Sequence, residues 1–173
     1  NLLMAKKGFR YDRIAVLILG IILIVLILFN ILIIQNKINF DIPELSTNGF
    51  VKVDISTATN KVILSSGCIS AVGTVSDDQV HSIENALEKI KDVRPLSHDT
   101  TQNILQSYNI QIVMLKVTEL RDNNFIGKLF LKSGNKITSL DVRPSDGIAI
   151  ALRNNAPIYM NETLLEEQGV NTC

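Results

Sequence analysis

Val142-Arg143-Pro144-Ser145-Asp146-Gly147-Ile148-Ala149-Ile150-Ala151-Leu152-Arg153-Asn154-Asn155-Ala156-Pro157 ends a stretch of β character and opens a helix within a few residues. Pro144 fixes its own φ and holds Arg143 extended. Ser145 is then expected as the N-cap of a helix whose first turn carries Asp146, where a carboxylate complements the helix dipole. Arg143 and Asp146 should project from one rigid corner.

Earlier in the chain, Val93-Arg94-Pro95-Leu96-Ser97-His98-Asp99 has the same order of Val-Arg-Pro, then Ser, then Asp, and opens a helix with Ile104, Leu105 and Tyr108 as its apolar stripe. Two helix N-termini, each with an Arg on the approach and an Asp in the first turn, could together hold an anion and a metal. Arg94, Arg143 and Ser145 are the candidates for binding an anionic substrate. His98, Asp99 and Asp146 are the candidates for chemistry: His98 as general base, Asp99 and Asp146 as oxygen ligands for Mg²⁺ or Mn²⁺. Asp141 and Glu119 are weaker candidates. The same residues also have a purely structural reading, in which the aspartates complement helix dipoles, the serines cap, and the arginines pair with the carboxylates. No motif for an organic cofactor is present.

These residues resemble the bifunctional nuclease domain family. Its members show Arg-Pro-x-Thr-His-Asp and later Arg-Pro-Ser-Asp-Ala before an alanine-rich helix that ends in Arg and Ala-Pro-Ile. Here the two motifs stand at Arg94 to Asp99 and at Arg143 to Ile158, within a resemblance that runs from about Phe50 to Val170. Ser97 replaces the usual Thr and Gly147 the usual Ala, while Gln79 falls about where the family often has Glu. The resemblance implies hydrolysis of phosphodiester bonds in DNA and RNA. The other reading is a non-catalytic extracytoplasmic module that binds a partner, a small anion or a second copy of itself.

Ile14 to Ile34 is a run of 21 residues without a charge. At about 1.5 Å per residue it reaches about 30 Å, the thickness of a bilayer's hydrocarbon core. A cleavable signal peptide is the rival, but its apolar core is shorter and ends at small residues, whereas Gln35-Asn36-Lys37 follows here. Lys6, Lys7, Arg10 and Arg13 precede the run against one acid, Asp12, which predicts a single-pass anchor with a cytoplasmic N-terminus (1–13). A span over 14–34, a linker over 35–49 and a domain over 50–173 outside the cytoplasm, at the cell membrane, complete the expected plan.

From Lys37 onward, 13 Lys and Arg stand against 16 Asp and Glu, a net charge of −3. With no basic run and no Trp, tight general binding of nucleic acid is not expected. A slow enzyme that grips one phosphate is compatible with that balance, as is a homo-oligomer.

Cys68 and Cys173 both fall on the side expected to be oxidising, so a disulfide is one reading and two free thiols the other. The pattern of the rest predicts an α+β domain with a mainly antiparallel sheet and helices inserted between hairpins. Strands are expected at Phe50 to Ser56, Lys61 to Ser66, Cys68 to Gly73, Ile110 to Leu120, Phe125 to Lys132, Lys136 to Val142 and Pro157 to Met160. Ser76-Asp77-Asp78-Gln79 reads as a capping box opening a helix with Val80, Ile83, Leu87 and Ile90 on its apolar side and His81 off it. A last helix should run from Asn161 to a stop at Gly169.

Overall fold

The computed structural model describes residues 15–30 and 43–173. The chain divides into two compact units, Asn1–Pro43 and Glu44–Cys173. In the first, residues 15–30 form a helix (α1) with apolar side chains exposed from Val16 to Phe29. Asn30, the polar interruption, donates to its own turn at Leu26 O, 2.7 Å away. Among the described residues no helix is long and apolar enough to cross a membrane. The expected span thus gains no support from the described helix, and its ends, Ile14 and residues 31–34, lie outside the described residues. So do 1–13 and most of the expected linker; the second unit already begins at Glu44.

That unit is α+β. Its strands are β1 (Phe50–Lys52), β2 (Asp54–Ala58), β3 (Lys61–Ser66), β4 (Ile69–Thr74), β5 (Gln111–Arg121), β6 (Asn124–Ser133), β7 (Lys136–Val142), β8 (Ile158–Asn161) and β9 (Val170–Asn171). Its helices are α2 (Asp77–Glu88), α3 (Ser97–Ser107), α4 (Pro144–Arg153) and α5 (Glu162–Gln168). One sheet has the order β1-β8-β5-β6-β7 and the other β2-β3-β4-β9. Every pairing is antiparallel except β5 with β8, where Leu115 sits opposite Ile158.

Local chemistry explains the hairpins. Asp122 and Asn123 both take positive φ, 49° and 61°, in the two-residue turn that closes Arg121 onto Asn124. Asn60 (φ 57°) turns β2 into β3, and Gly134 (φ 56°) turns β6 into β7. The strand expected over Phe50 to Ser56 is two strands. At Val53, 4% exposed, the chain leaves one sheet for the other, and the Val53 N–H donates to Ile158 O at 3.0 Å.

α4 lies against β5 and β6 because its inner face is small. Ala149 and Ala151 are fully buried, and a Cβ on Gly147 would come within 2.6 Å of Leu115 Cδ1 and 3.0 Å of Val142 Cγ2. The core joins both sheets through Val62, Leu64, Ile83, Leu115, Ile148 and Met160. Two expected stripes prove partial: Leu87 and Ile90 of α2 are 38% and 50% exposed, while Ile104 and Tyr108 of α3 are 53% and 73% exposed. In α3 only Leu105 packs on the core, and Asp99 is the one buried residue. Burial of an ion pair, not of a stripe, docks this helix.

Cys68 and Cys173 form the disulfide, with Cα atoms 5.2 Å apart. Beside it β9 pairs with β4, and the Thr172 N–H donates to Cys68 O at 2.8 Å. Gly169 ends α5 as expected, but its φ is −86°. Glycine is needed there because a Cβ would run into Ile69 and the carbonyl of Leu165.

Candidate functional site

The two corners differ in how they enter their helices. In the second, Arg143 (φ −64°, ψ 136°) is the N-cap and Pro144 takes the first helical position, where its missing N–H costs nothing. Ser145 is therefore not the cap. It is buried one residue further in, and its hydroxyl receives a hydrogen bond from Gln79 Nε2 at 2.8 Å. Gln79 Oε1 accepts from the Ser76 N–H at 3.0 Å, within the expected capping box. Gln79 thus joins the start of α2 to the start of α4. In the first corner Leu96 is the N-cap, and Asp99 Oδ2 accepts its N–H at 2.9 Å.

Asp99 and Asp146 occupy the third position of their helices but have different partners. Asp99 is 4% exposed, and its Oδ1 receives Arg153 Nε at 2.7 Å. Burial pushes this carboxyl up, yet the hydrogen bonds from Arg153 and Leu96 and the guanidinium charge outweigh it and hold the pKa below the ordinary carboxylate value. Arg153 also donates through Nη1 to Ser82 O at 2.9 Å and Ala149 O at 3.0 Å, so one guanidinium ties α3, α2 and α4 together. Asp146 receives Arg143 Nε on Oδ2 at 2.8 Å and turns Oδ1 toward His98 Nε2, 3.6 Å away.

His98, with its side chain 15% exposed, is held from the other side by Ser82, whose hydroxyl lies 2.8 Å from Nδ1. Burial lowers the imidazole pKa below its ordinary 6.5, with help from the Arg153 charge and against the pull of Asp146 and Asp99. The ring is therefore neutral at pH 7. Its Nε2 is too far from Asp146 for a direct hydrogen bond, and both atoms lie within reach of one water-sized group.

Of the expected residues, the structure gathers His98, Asp146, Arg143 and Ser145 at one corner, with Asp99 behind it as a structural anchor. Arg94 is exposed and makes no ion pair or hydrogen bond among the described residues. Glu119 pairs with Arg121, and Asp141 with Lys128 at 3.7 Å. His81 meets Asp92 at 3.0 Å on the surface, and Asn161 caps α5 through the Leu164 N–H.

Among the described residues no three His, Cys, Asp or Glu side chains converge as a metal site. Asp99 has an oxygen committed to Arg153 and the other to Leu96, so Asp146 remains as a lone carboxylate beside an imidazole. That set does not make a protein-held site for Mg²⁺ or Mn²⁺, which bind through oxygen.

Sequence reasoning missed Ser82 and the role of Arg153. Each carried a signal: Ser82 follows the capping Gln79 by three residues, and Arg153 follows Asp146 by seven, so each pair shares a helix face.

A family model described as bifunctional nuclease domain matches residues 73–172, which include every residue of this corner. An uncharacterized protein of Mycobacterium tuberculosis is 31% identical over 87 residues, 49% of this chain and 51% of its own length. Bifunctional nuclease 1 of Arabidopsis thaliana and the bifunctional nuclease of Oryza minuta are each 30% identical over 88 residues, 49% of this chain and 27% of theirs. The chain thus spans about half the length of the mycobacterial relative and about a quarter of the plant ones.

Proposed function

Because this chain belongs to the bifunctional nuclease domain family, we propose that it hydrolyses phosphodiester bonds of DNA or RNA at the corner formed by His98, Asp146 and Arg143. The observation that carries the reading is His98 seated between Ser82 at 2.8 Å and Asp146 at 3.6 Å beside an exposed arginine.

Arg143 is 76% exposed and uses only Nε on Asp146, which leaves its two Nη groups for the phosphoryl oxygens. A guanidinium fork matches that geometry and neutralises charge that grows in the transition state. The proposal assigns His98 the tautomer in which Nδ1–H donates to Ser82 Oγ, so that Nε2 presents its lone pair. A water bonded to both Nε2 and Asp146 gives its proton to Nε2 as its oxygen attacks phosphorus. One P–O ester bond breaks, the departing alkoxide takes a proton from solvent, and the products are a phosphate monoester and an alcohol. The Asp146 carboxylate stabilises the imidazolium formed. A divalent ion arriving with the substrate would find Asp146 as the carboxylate beside His98, and would add positive charge at the phosphoryl oxygens.

The uncharged run from Ile14 to Ile34 and the cations before it support a second part of the proposal, that a single span holds the domain at the membrane with the N-terminus cytoplasmic. Extraction of the full chain from membranes by alkaline carbonate would refute it.

The test of function is hydrolysis of labelled DNA and RNA by the full chain with Mg²⁺, Mn²⁺ or EDTA, beside His98→Ala and Asp146→Asn. The reading requires both variants to lose activity while melting like the parent. Equal activity in all three places the chemistry elsewhere, and inactivity in all three favours the non-catalytic binder, for which the charge of −3 and the wholly bonded Gln79 speak.

A further inference from the structure

A groove between the two sheets of the domain shares Gln79, Arg143 and Ser145 with the His98 corner. It holds about 740 Å³, within the usual size of small-molecule sites, about 300–1,000 Å³. Apolar residues line its inner part: Val62 and Gly73, a pair on one face of the four-stranded sheet, stand opposite Val117, Leu120, Phe125 and Val142 from the five-stranded one. Amides stand on its rim, from Asn123 and Asn124 of the β5–β6 turn and from Gln168 of α5, besides Gln79. Asp141 also lies on the rim, faced by Lys128 at 3.7 Å.

We infer that this groove takes one nucleobase of the strand whose phosphate Arg143 holds, so that the substrate is single-stranded. The inference rests on the nuclease reading above. A nucleotide has the matching order of groups: an anion, then a planar ring with apolar faces and a polar edge. The phosphate meets the exposed guanidinium fork, the ring faces meet Leu120, Phe125 and Val142, and the ring edge meets amides. Gln79 is spent on Ser76 and Ser145 and Asn124 Nδ2 on Asp122 O, but the amides of Asn123 and Gln168 each offer a donor and an acceptor, so the groove accepts any base. A paired base reaches such a groove only after unstacking, which costs a few kcal/mol. A domain with net charge −3 has no surplus of cations with which to hold a duplex while that happens.

Gly73 shares the face of its partner Val62, and a Cβ on it meets nothing within 4 Å, so Gly73→Trp fills the groove without displacing the core. Phe125→Leu removes the aromatic face and keeps the packing. The experiment uses the full chain in detergent micelles and measures kcat/KM on a short single-stranded oligonucleotide, on the same strand carrying abasic residues, and on its duplex. Binding of 5′-AMP is followed in parallel.

The intact strand should be cut at least about tenfold faster than the abasic strand or the duplex, the scale of one lost base stack. Both variants should bring the intact strand down to the abasic rate, leave the abasic rate as it was, and weaken AMP binding. Equal rates on intact and abasic strands, or variants indistinguishable from the parent, would overturn the inference while leaving the nuclease reading in place. A chain that cuts nothing but binds AMP, and loses that binding in Gly73→Trp, would sink the nuclease reading and keep the groove. No cutting and no AMP binding would sink both.

Discussion

Arg153→Met is the most informative perturbation of the fold. Asp99 is 4% exposed and rests on two hydrogen bonds, from Arg153 Nε at 2.7 Å and the Leu96 N–H at 2.9 Å. Methionine fills a similar volume but leaves the carboxylate with Leu96 alone, and it frees the carbonyls of Ser82 and Ala149. Removing one partner of a buried pair costs about 3–5 kcal/mol. With a urea slope of about 2 kcal/mol per molar, the unfolding midpoint of the unit from Glu44 onward should fall by about 2 M at neutral pH.

The pH dependence gives a second, sharper reading. In the parent, Asp99 titrates below its ordinary 3.8, so its contribution is present above 3.8 and is lost as pH falls through the lowered value. In the variant, burial acts unopposed by the guanidinium and raises the carboxyl pKa. The gap between parent and variant must therefore shrink on acidification. Asp99→Asn in the Arg153→Met background, which discharges the buried group, should recover part of the loss. A loss below about 1 kcal/mol at neutral pH, or a gap that widens as pH falls, would refute the argument that this pair docks α3.

Three further outcomes follow from the geometry. His98 titrates below 6.5, so hydrolysis should rise with pH along an acid limb lying under 6.5, and the stability contributed by its neutral form should be present above 6.5 and lost as pH falls through the lowered value. His98→Asn should abolish both dependences, as followed by rate and by melting. Reduction of Cys68–Cys173 should lower stability by up to about 4.7 kcal/mol, the chain-entropy figure for a loop of about 100 residues. The earliest hydrogen exchange should then appear at Ile69 and Ser70, which pair with β9. Gly147→Ala should cost about 1–3 kcal/mol through overpacking against Leu115 and Val142, and Leu115→Val should relieve part of it; urea unfolding of the three proteins checks this.

Turn chemistry made much of the domain legible from single residues. Asn60, Asp122, Asn123 and Gly134 announce hairpins because few other residues adopt their backbone angles. The corner at Arg143 was legible for the same reason, since Pro144 leaves the chain little choice. The break at Val53 was not, because side-chain alternation continues through it while the hydrogen-bonding partner changes from β8 to β3. β9 is two residues long and carries no pattern at all. The candidate site divided along the same line. Asp99 and Asp146 hold equivalent places in their helices, and nothing local separates them. What makes one an anchor and the other a neighbour of His98 is Arg153, a residue whose reach across three helices exists only in the folded chain.

The insertion of β8 between β1 and β5 also sets an order in time. β5, β6 and β7 are joined by tight turns and can pair within microseconds of meeting. The pairs Phe50 with Asn161 and Leu115 with Ile158 must wait for a distant part of the chain, and non-local closures are the slow ones. Until β8 arrives, β5 keeps an open edge beside an unfilled core, and Cys68 keeps a thiol whose partner is synthesised 105 residues later. A chain caught in that interval presents the bare strand edge and reactive sulfur that favour pairing with a neighbour over pairing with itself. The oxidant that closes Cys68 onto Cys173 is therefore best met after β8 has docked, not before.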